Sequence, residues 1–464
     1  MTIRWCSAWQ WERPGGGEAL KRRDFLKGVG ATALLPAVLS HATDGKRTNV
    51  ILIMTDDTGY EVFGCYGSKQ YKTPRVDQLA ATGMRFNHCY ANPVCVPSRV
   101  KILTGKSNVR NYVYWGILDP NEKTIGNMMK DAGYATCVAG KWQLHGDGVF
   151  APETKGTGTL PEDAGFDEHC VLRLDATEHS YWEPVLSING KTKAIPDKNA
   201  FAPTLVNDYV CDFIDRNKEE PFFIYYPMKL THGPFVPTPD SADRSSTANQ
   251  QNFEDMVAYM DKLVGRVVDK LDEAGVRNNT LILFTGDNGS PGGKKGGIKS
   301  ELNGRTIHGG KSLTTDAGTR VALVANMPGT VPPGKVTDDL VDFSDMMPTI
   351  AGMTRAEVPA GEVLDGVSFA PQLRGGKGTP REWIYLYYEP VPGPEPNPTI
   401  FARDQRWKLY SDGRLFDISK DVLEMNPIMD GGGQAREKLQ AVLDSMPSEG
   451  MKIYRPKFDA LQTG

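Results

Sequence analysis

The run Thr48–Met54, which reads Thr-Asn-Val-Ile-Leu-Ile-Met, constrains this chain more than any other segment. It is too short for an ordinary helix and rich in β-branched residues, so it predicts a strand buried on both faces. It stops at Thr55-Asp56-Asp57, and a second apolar run, Thr280–Thr285, stops in the same way at Asp287-Asn288. Around these two runs, helical and strand signals alternate. Helices are predicted at 74–81, 97–103, 124–132, 201–216 and 253–274, and further strands at 134–139, 221–226 and 320–325. The 253–274 segment sets Val257, Met260, Leu263, Val264, Val267, Val268 and Leu271 on one helical face. Such alternation implies an α/β fold, a mostly parallel sheet sandwiched by helices. Sites in these sheets lie beyond the carboxyl ends of the strands. Asp56, Asp57, Asp287 and Asn288 all fall there.

At 464 residues the chain has room for two or three domains. Near residue 377 its character changes. Short segments at 383–388, 399–403, 407–410 and 414–417, separated by turns, predict a small antiparallel sheet. The expected division is a leader over 1–42, a main domain over 43–376 and a C-terminal α+β subdomain over 377–464.

The leader reading rests on Arg22-Arg23-Asp24-Phe25-Leu26-Lys27, an apolar run from Gly28 to Leu39, and small residues at Ser40-His41-Ala42. This order is that of a twin-arginine signal peptide, with cleavage after Ala42. It predicts passage through twin-arginine export machinery in the folded state and a periplasmic or secreted location. With 53 Lys and Arg against 57 Asp and Glu, the whole chain is net −4, and the basic leader leaves the remainder more acidic still. That excludes a general nucleic-acid binder. No apolar stretch after residue 50 is long enough to span a bilayer. Setting aside Cys6 in the leader and Cys95, five irregularly spaced cysteines remain, which is no disulfide framework.

Two adjacent acids at a strand end repel unless a cation neutralises them. Carboxylate and amide oxygens without His or Cys favour a hard ion, Ca²⁺ or Mg²⁺. Taken singly, each pair also suits turn chemistry or helix capping. Between the pairs lies Cys95-Val96-Pro97-Ser98-Arg99, where Pro97 is placed to open a helix.

The order Asp56-Asp57, Cys95 to Arg99, Gly140-Lys141-Trp142, Asp287-Asn288-Gly289 and Gly309-Gly310-Lys311 resembles the type I sulfatases over residues 48 to about 352. The resemblance implies an alkaline-phosphatase-like fold and hydrolysis of a sulfate monoester. It implies that a formylglycine-generating enzyme converts Cys95 to formylglycine, reading Ser98 within its signature. One Ca²⁺ would be held by Asp56, Asp57, Asp287 and Asn288 together with the residue at 95. The hydrated aldehyde carries two hydroxyls, one for attack and one whose deprotonation ejects sulfate. By the same resemblance, Arg99 orients the nucleophile, Lys141 and Lys311 hold sulfate oxygens, and His232 is the general acid at the leaving oxygen.

The family commonly reads Gly-Lys-Trp-His-Leu-Gly, whereas this chain reads Gly140-Lys141-Trp142-Gln143-Leu144-His145. Gln143 stands where the base is expected and cannot accept a proton usefully near neutral pH. An extended segment puts Lys141, Gln143 and His145 on one side, which makes His145 the candidate substitute. Ser180 and His179 are candidates for a further polar contact. The Gly-rich, basic stretch 292–305, with Lys294, Lys295, Lys299 and Arg305, suits an anionic partner. Export and this stretch favour a sulfated carbohydrate over an aryl sulfate. A phosphate or phosphonate ester hydrolase, a non-catalytic sulfated-glycan binder and a cysteine-nucleophile hydrolase remain open from sequence.

Overall fold

The computed structural model describes residues 46–174, 180–292, 297–393 and 397–447. The predicted leader, Cys6, His179, Lys294 and Lys295 lie outside the described residues. The strands run, in chain order, β1 (Asn49–Thr55), β2 (Met84–Tyr90), β3 (Ala135–Gly140), β4 (Glu168–Leu172), β5 (Val185–Ile188) and β6 (Lys191–Ala194). There follow β7 (Phe222–Pro227), β8 (Thr280–Gly286), β9 (Lys299–Leu302), β10 (Arg305–His308), β11 (Arg320–Asn326) and β12 (Lys335–Asp342). The last four are β13 (Ile384–Tyr388), β14 (Thr399–Arg403), β15 (Trp407–Tyr410) and β16 (Leu415–Asp417).

Ten of these form one sheet in the order β12-β2-β11-β8-β1-β7-β3-β4-β5-β6. From β8 to β4 every neighbouring pair is parallel. All residues of β1, β7 and β8 are buried, as expected of strands covered on both faces. On one side the core packs strand residues such as Val50, Leu52 and Leu283 against the helices Cys95–Thr104, Ile125–Asp131 and Met346–Thr354. The long helix Asn249–Glu273 packs on Ala202–Arg216. The C-terminal segment builds the expected antiparallel sheet, β13-β14-β15-β16, with the helix Gly433–Ser445 against β14 and β15.

The mostly parallel sheet is as expected, and three details add to or correct the sequence reading. The strand β11 is antiparallel to both of its neighbours, β8 and β2, so the sheet is mixed at that end. The stretch read as a basic Gly-rich loop contains an antiparallel hairpin, β9–β10, on which Lys299 and Arg305 are exposed. The helix placed at Pro97 opens at Cys95, so Arg99 lies past its first turn. The six cysteines among the described residues are all thiols, none of them bridged. No helix among the described residues is long and apolar enough to cross a membrane.

Candidate active site

Parallel register alone brings the two acidic pairs together. Thr55 of β1 pairs with Gly286 of β8, so the next residue of each strand, Asp56 and Asp287, emerges level at the same sheet edge. The turn is pinned by Asp287 N–H donating to Thr55 O at 2.9 Å and Asp57 N–H donating to Asp287 Oδ1 at 3.0 Å. On the other side of β1, Asp56 N–H donates to Leu230 O at 2.9 Å, which brings the segment after β7 to the same place. One strand further, Lys141 N–H donates to Pro227 O at 2.7 Å. Gly140 before it holds φ +126°, and a Cβ there collides with that same carbonyl oxygen. Glycine is therefore required where β3 turns into the site.

Cys95 sits fully buried at the N-terminus of its helix, preceded by Val94 in extended conformation. Ser98 fastens this entry: its Oγ accepts from Asn92 N–H at 3.0 Å and its hydroxyl lies 3.0 Å from Val94 O. Pro97, lacking an N–H, sits inside the first turn where none is needed. Ligand atoms of Asp56, Cys95 and Asp287 all lie within 4.8 Å of one another, and so do those of Asp56, Asp57 and His232.

Three cations face the three carboxylates. Arg99, with no exposed surface, donates to Asp287 Oδ2 at 3.0 Å and to Lys141 O at 2.6 Å. Lys141 Nζ lies 2.6 Å from Asp56 Oδ2, and Lys311 Nζ donates to Asp57 Oδ2 at 2.6 Å. His232 Nε2 stands 3.8 Å from Asp57 Oδ2, and its Nδ1 is 2.6 Å from Gly233 O.

Several buried oxygens nevertheless have no hydrogen-bond donor. Both carboxylate oxygens of Asp56 and Oδ1 of Asn288 are buried and unsatisfied; the contact between Lys141 and Asp56 is close but lacks the angles of a hydrogen bond. Asn288 turns its amide nitrogen away, to Asp57 Oδ1 at 2.9 Å and Gly289 O at 2.9 Å. Unsatisfied buried oxygens are rare because each costs about 1–3 kcal/mol. Converging oxygens of this kind fit a hard cation such as Ca²⁺ or Mg²⁺.

The electrostatics agree with this fit. Burial, followed by the charge on Asp56, pushes the Asp287 carboxyl up to about 8. Burial also raises Asp56, but Lys141, His232, Arg99 and Lys311 outweigh it and hold that carboxyl below its ordinary value. One of the pair thus keeps its charge and the other is driven towards its acid form, the behaviour of like charges crowded in a buried site, which Arg99 and Lys141 offset only in part. Lys141 first, and burial second, lower His232. Burial, ahead of the opposing pull of Lys141 and Lys311, raises the Cys95 thiol.

A cavity of about 640 Å³ opens onto this cluster, lined by Asp56, Lys141, Gln143, His145, Lys229 and His232 among others. Lys141, Gln143 and His145 share it as expected, although by a different route. Gln143 adopts φ +58°, so the segment is not extended throughout. His145 is held by a bridge to Ile117 and a 3.2 Å contact from Nδ1 to Gly158 O. Ser180 also lines the cavity.

Sequence reasoning missed Lys229 and Tyr181. Lys229 is 7% exposed, and burial followed by Lys141 lowers its ammonium to about 7. Its Nζ lies 4.2 Å from the centre of the Tyr181 ring, and the Tyr181 hydroxyl donates to the carbonyls of Lys229 and His232 at 3.1 and 2.6 Å. Their only sequence signal is the position of Lys229, two residues past the end of β7.

The sulfatase family model matches residues 48–356, and a second model, described as N-sulphoglucosamine sulphohydrolase, C-terminal, matches residues 308–448. Arylsulfatase A of Homo sapiens is 31% identical over 396 residues, covering 76% of this chain and 73% of its own length. N-acetylgalactosamine-6-sulfatase of Canis lupus familiaris is 29% identical over 392 residues, covering 76% and 71%. Among solved structures, that of Ps i-CgsB in complex with k-i-k-neocarrahexaose superposes with a TM-score of 0.71 at 23% identity, covering 88% of this chain and 94% of the other. That last likeness is one of fold. With the family model spanning about two thirds of its length, the chain belongs to the sulfatase family, sulfuric ester hydrolases of the alkaline phosphatase superfamily.

Proposed function

We propose that this protein removes sulfate from a sulfated carbohydrate, using formylglycine formed from Cys95 and one Ca²⁺ held by Asp56, Asp57, Asp287 and Asn288. One observation carries the reading: the unsatisfied buried oxygens of Asp56 and Asn288 converge beside Cys95, between two lysines. The cation, when bound, drains charge from sulfate oxygens, and the hydrated aldehyde supplies the attacking hydroxyl and a second one for release. Within the cluster, Asp56, Asp57 and Asp287 balance Arg99, Lys141 and Lys311. Adding a divalent cation leaves the site net positive, which suits an anionic ester. Lys141 and Lys311, released from the acids that the cation takes over, then hold sulfate oxygens.

Arg99 positions rather than touches: it has no exposed surface and holds Asp287 and the Lys141 carbonyl. His232 is kept neutral by the charge of Lys141; an anion arriving between the two offsets that repulsion and brings the proton in for the leaving oxygen. His145 takes over the proton that Gln143 cannot accept. The raised Cys95 thiol argues against a cysteine-nucleophile hydrolase. Carbohydrate is favoured by the relatives, among them N-acetylgalactosamine-6-sulfatase. We further read residues 1–42 as a twin-arginine leader, 43–376 and 377–464 as catalytic and C-terminal parts, and the matured protein as periplasmic or secreted. Its partners are then the formylglycine-generating enzyme and the export machinery.

The test is sulfate release, by ion chromatography, from sulfated saccharides and 4-nitrophenyl sulfate, with 4-nitrophenyl phosphate as control. Release from saccharides that a chelator abolishes and Ca²⁺ restores is the expected result. Faster turnover of the phosphate ester, or activity indifferent to chelation, overturns the reading.

A further inference from the structure

The cavity wall formed by His145, Gly146 and Asp147 continues into a loop that presents two consecutive apolar side chains to solvent. Val149 is 50% exposed and Phe150 is 55% exposed. Single exposed hydrophobics are ordinary, but this pair belongs to a built arrangement. The Phe150 ring stands edge-to-face on Trp115, with centroids 5.5 Å apart and planes at 85°. Trp115 is half-buried and packs against the main core. Its indole N–H donates to Asp147 Oδ2 at 3.1 Å, while Asp147 Oδ1 accepts from Val149 N–H at 3.0 Å. The carboxylate that holds Trp115 and the backbone leading to Phe150 is itself part of the cavity wall. Rigid aromatic surface and an acceptor with spare lone pairs thus meet beside the cavity.

We propose that Phe150, buttressed edge-to-face by Trp115, offers its exposed ring as a stacking platform for the sugar ring joined to the sulfated unit, so that the preferred substrate is an oligosaccharide. The inference rests on the sulfate-ester reading above and specifies its substrate. A pyranose ring is amphipathic: its C–H face covers an aromatic face, and its hydroxyls donate to a carboxylate such as Asp147. With the sulfated unit seated at Asp56 and Lys141, the wall His145–Asp147 of the same cavity is one way out for the rest of a saccharide, and it leads to Phe150. A lone sulfated monosaccharide has nothing to set on Phe150.

The experiment compares wild type with Phe150→Ala and Trp115→Phe, the second keeping the packing and removing the N–H. The probes are sulfated tetrasaccharides from carrageenan and chondroitin sulfate, the corresponding monosaccharide sulfates and 4-nitrophenyl sulfate. Phe150→Ala is expected to lower kcat/KM on the tetrasaccharide about five- to tenfold, through KM, and to leave the monosaccharide sulfate unchanged. Equal effects on both lengths, or no effect, overturn the platform. A loss confined to 4-nitrophenyl sulfate assigns it to an apolar aglycone and likewise overturns the pyranose reading. If wild type hydrolyses no sulfate ester, the functional reading fails by itself. The platform is then judged by titration calorimetry of the same tetrasaccharides, where unaltered binding in Phe150→Ala, or no binding to wild type, overturns it.

Discussion

Asp287 ties stability to pH. Its carboxyl is raised from 3.8 to about 8, first by burial and then by Asp56. An acid raised on folding supports the fold in its protonated form; its contribution is intact below 3.8 and is lost as pH climbs through about 8. Asp56, which is lowered, acts in a separate window, losing its contribution only as pH falls below 3.8. Under chelation, wild type is therefore expected to lose melting temperature relative to Asp287→Asn from about pH 4 to pH 8, a difference in which the opposing contributions of His88, His169 and His232 cancel. Ca²⁺ at a hundred times its Kd should restore about 2.7 kcal/mol. A difference between the two proteins that does not change with pH contradicts this account. At the other end of the cavity, His145→Ala should cost kcat up to about 10²-fold in the native background. It should cost little once Gln143→His is present; equal losses in the two backgrounds remove His145 from the proton path. The acids and Cys95 were legible in sequence because each belongs to a chemically unusual run. Lys229 was not, since a lone lysine past a strand looks like any solvated lysine until the strand's neighbours are known.

Among the elements, the central strands were the easiest to read. Burial on both faces leaves an apolar run in β1, β7 and β8 that no surface segment carries. Five members of the sheet, β2, β4, β5, β6 and β12, escaped, and for β2 and β12 the reason is the converse one. β2 interleaves half-buried Arg85, Asn87 and His88 with its core residues, and the first half of β12 is largely exposed at the sheet edge. The direction of β11 was equally hidden, because full burial gives the same pattern to parallel and antiparallel strands. The hairpin β9–β10 is short and polar, so nothing distinguished it from a loop. The turn out of β3 offers a sharp test. Gly140→Ala forces a Cβ onto Pro227 O at φ +126°, and should destabilise the protein by at least about 3 kcal/mol in chemical denaturation. A loss under about 1 kcal/mol means that the turn is less constrained than the geometry requires.

At the scale of the whole molecule, the C-terminal sheet reaches the loop that carries Lys311. Arg403 of β14 pairs with Asp316, both buried, and Lys408 of β15 donates to Thr314 O and to Glu424 Oε1 at 2.5 and 2.7 Å. Charges buried across this distance in sequence leave no local signature, which is why the subdomain was readable as a sheet but not as a support for Lys311. Breaking a buried pair from one side costs about 3–5 kcal/mol. Arg403→Ala should show such a loss in chemical denaturation, and a change under about 1 kcal/mol contradicts the supporting role. The most direct test of the central claim is peptide mass spectrometry on Phe86–Arg99, the tryptic fragment containing Cys95, from protein made with its native maturation system. The account predicts a mass about 18 Da below that of the unmodified peptide, the change from thiol to aldehyde. An intact thiol at Cys95 in protein that hydrolyses sulfate esters contradicts it.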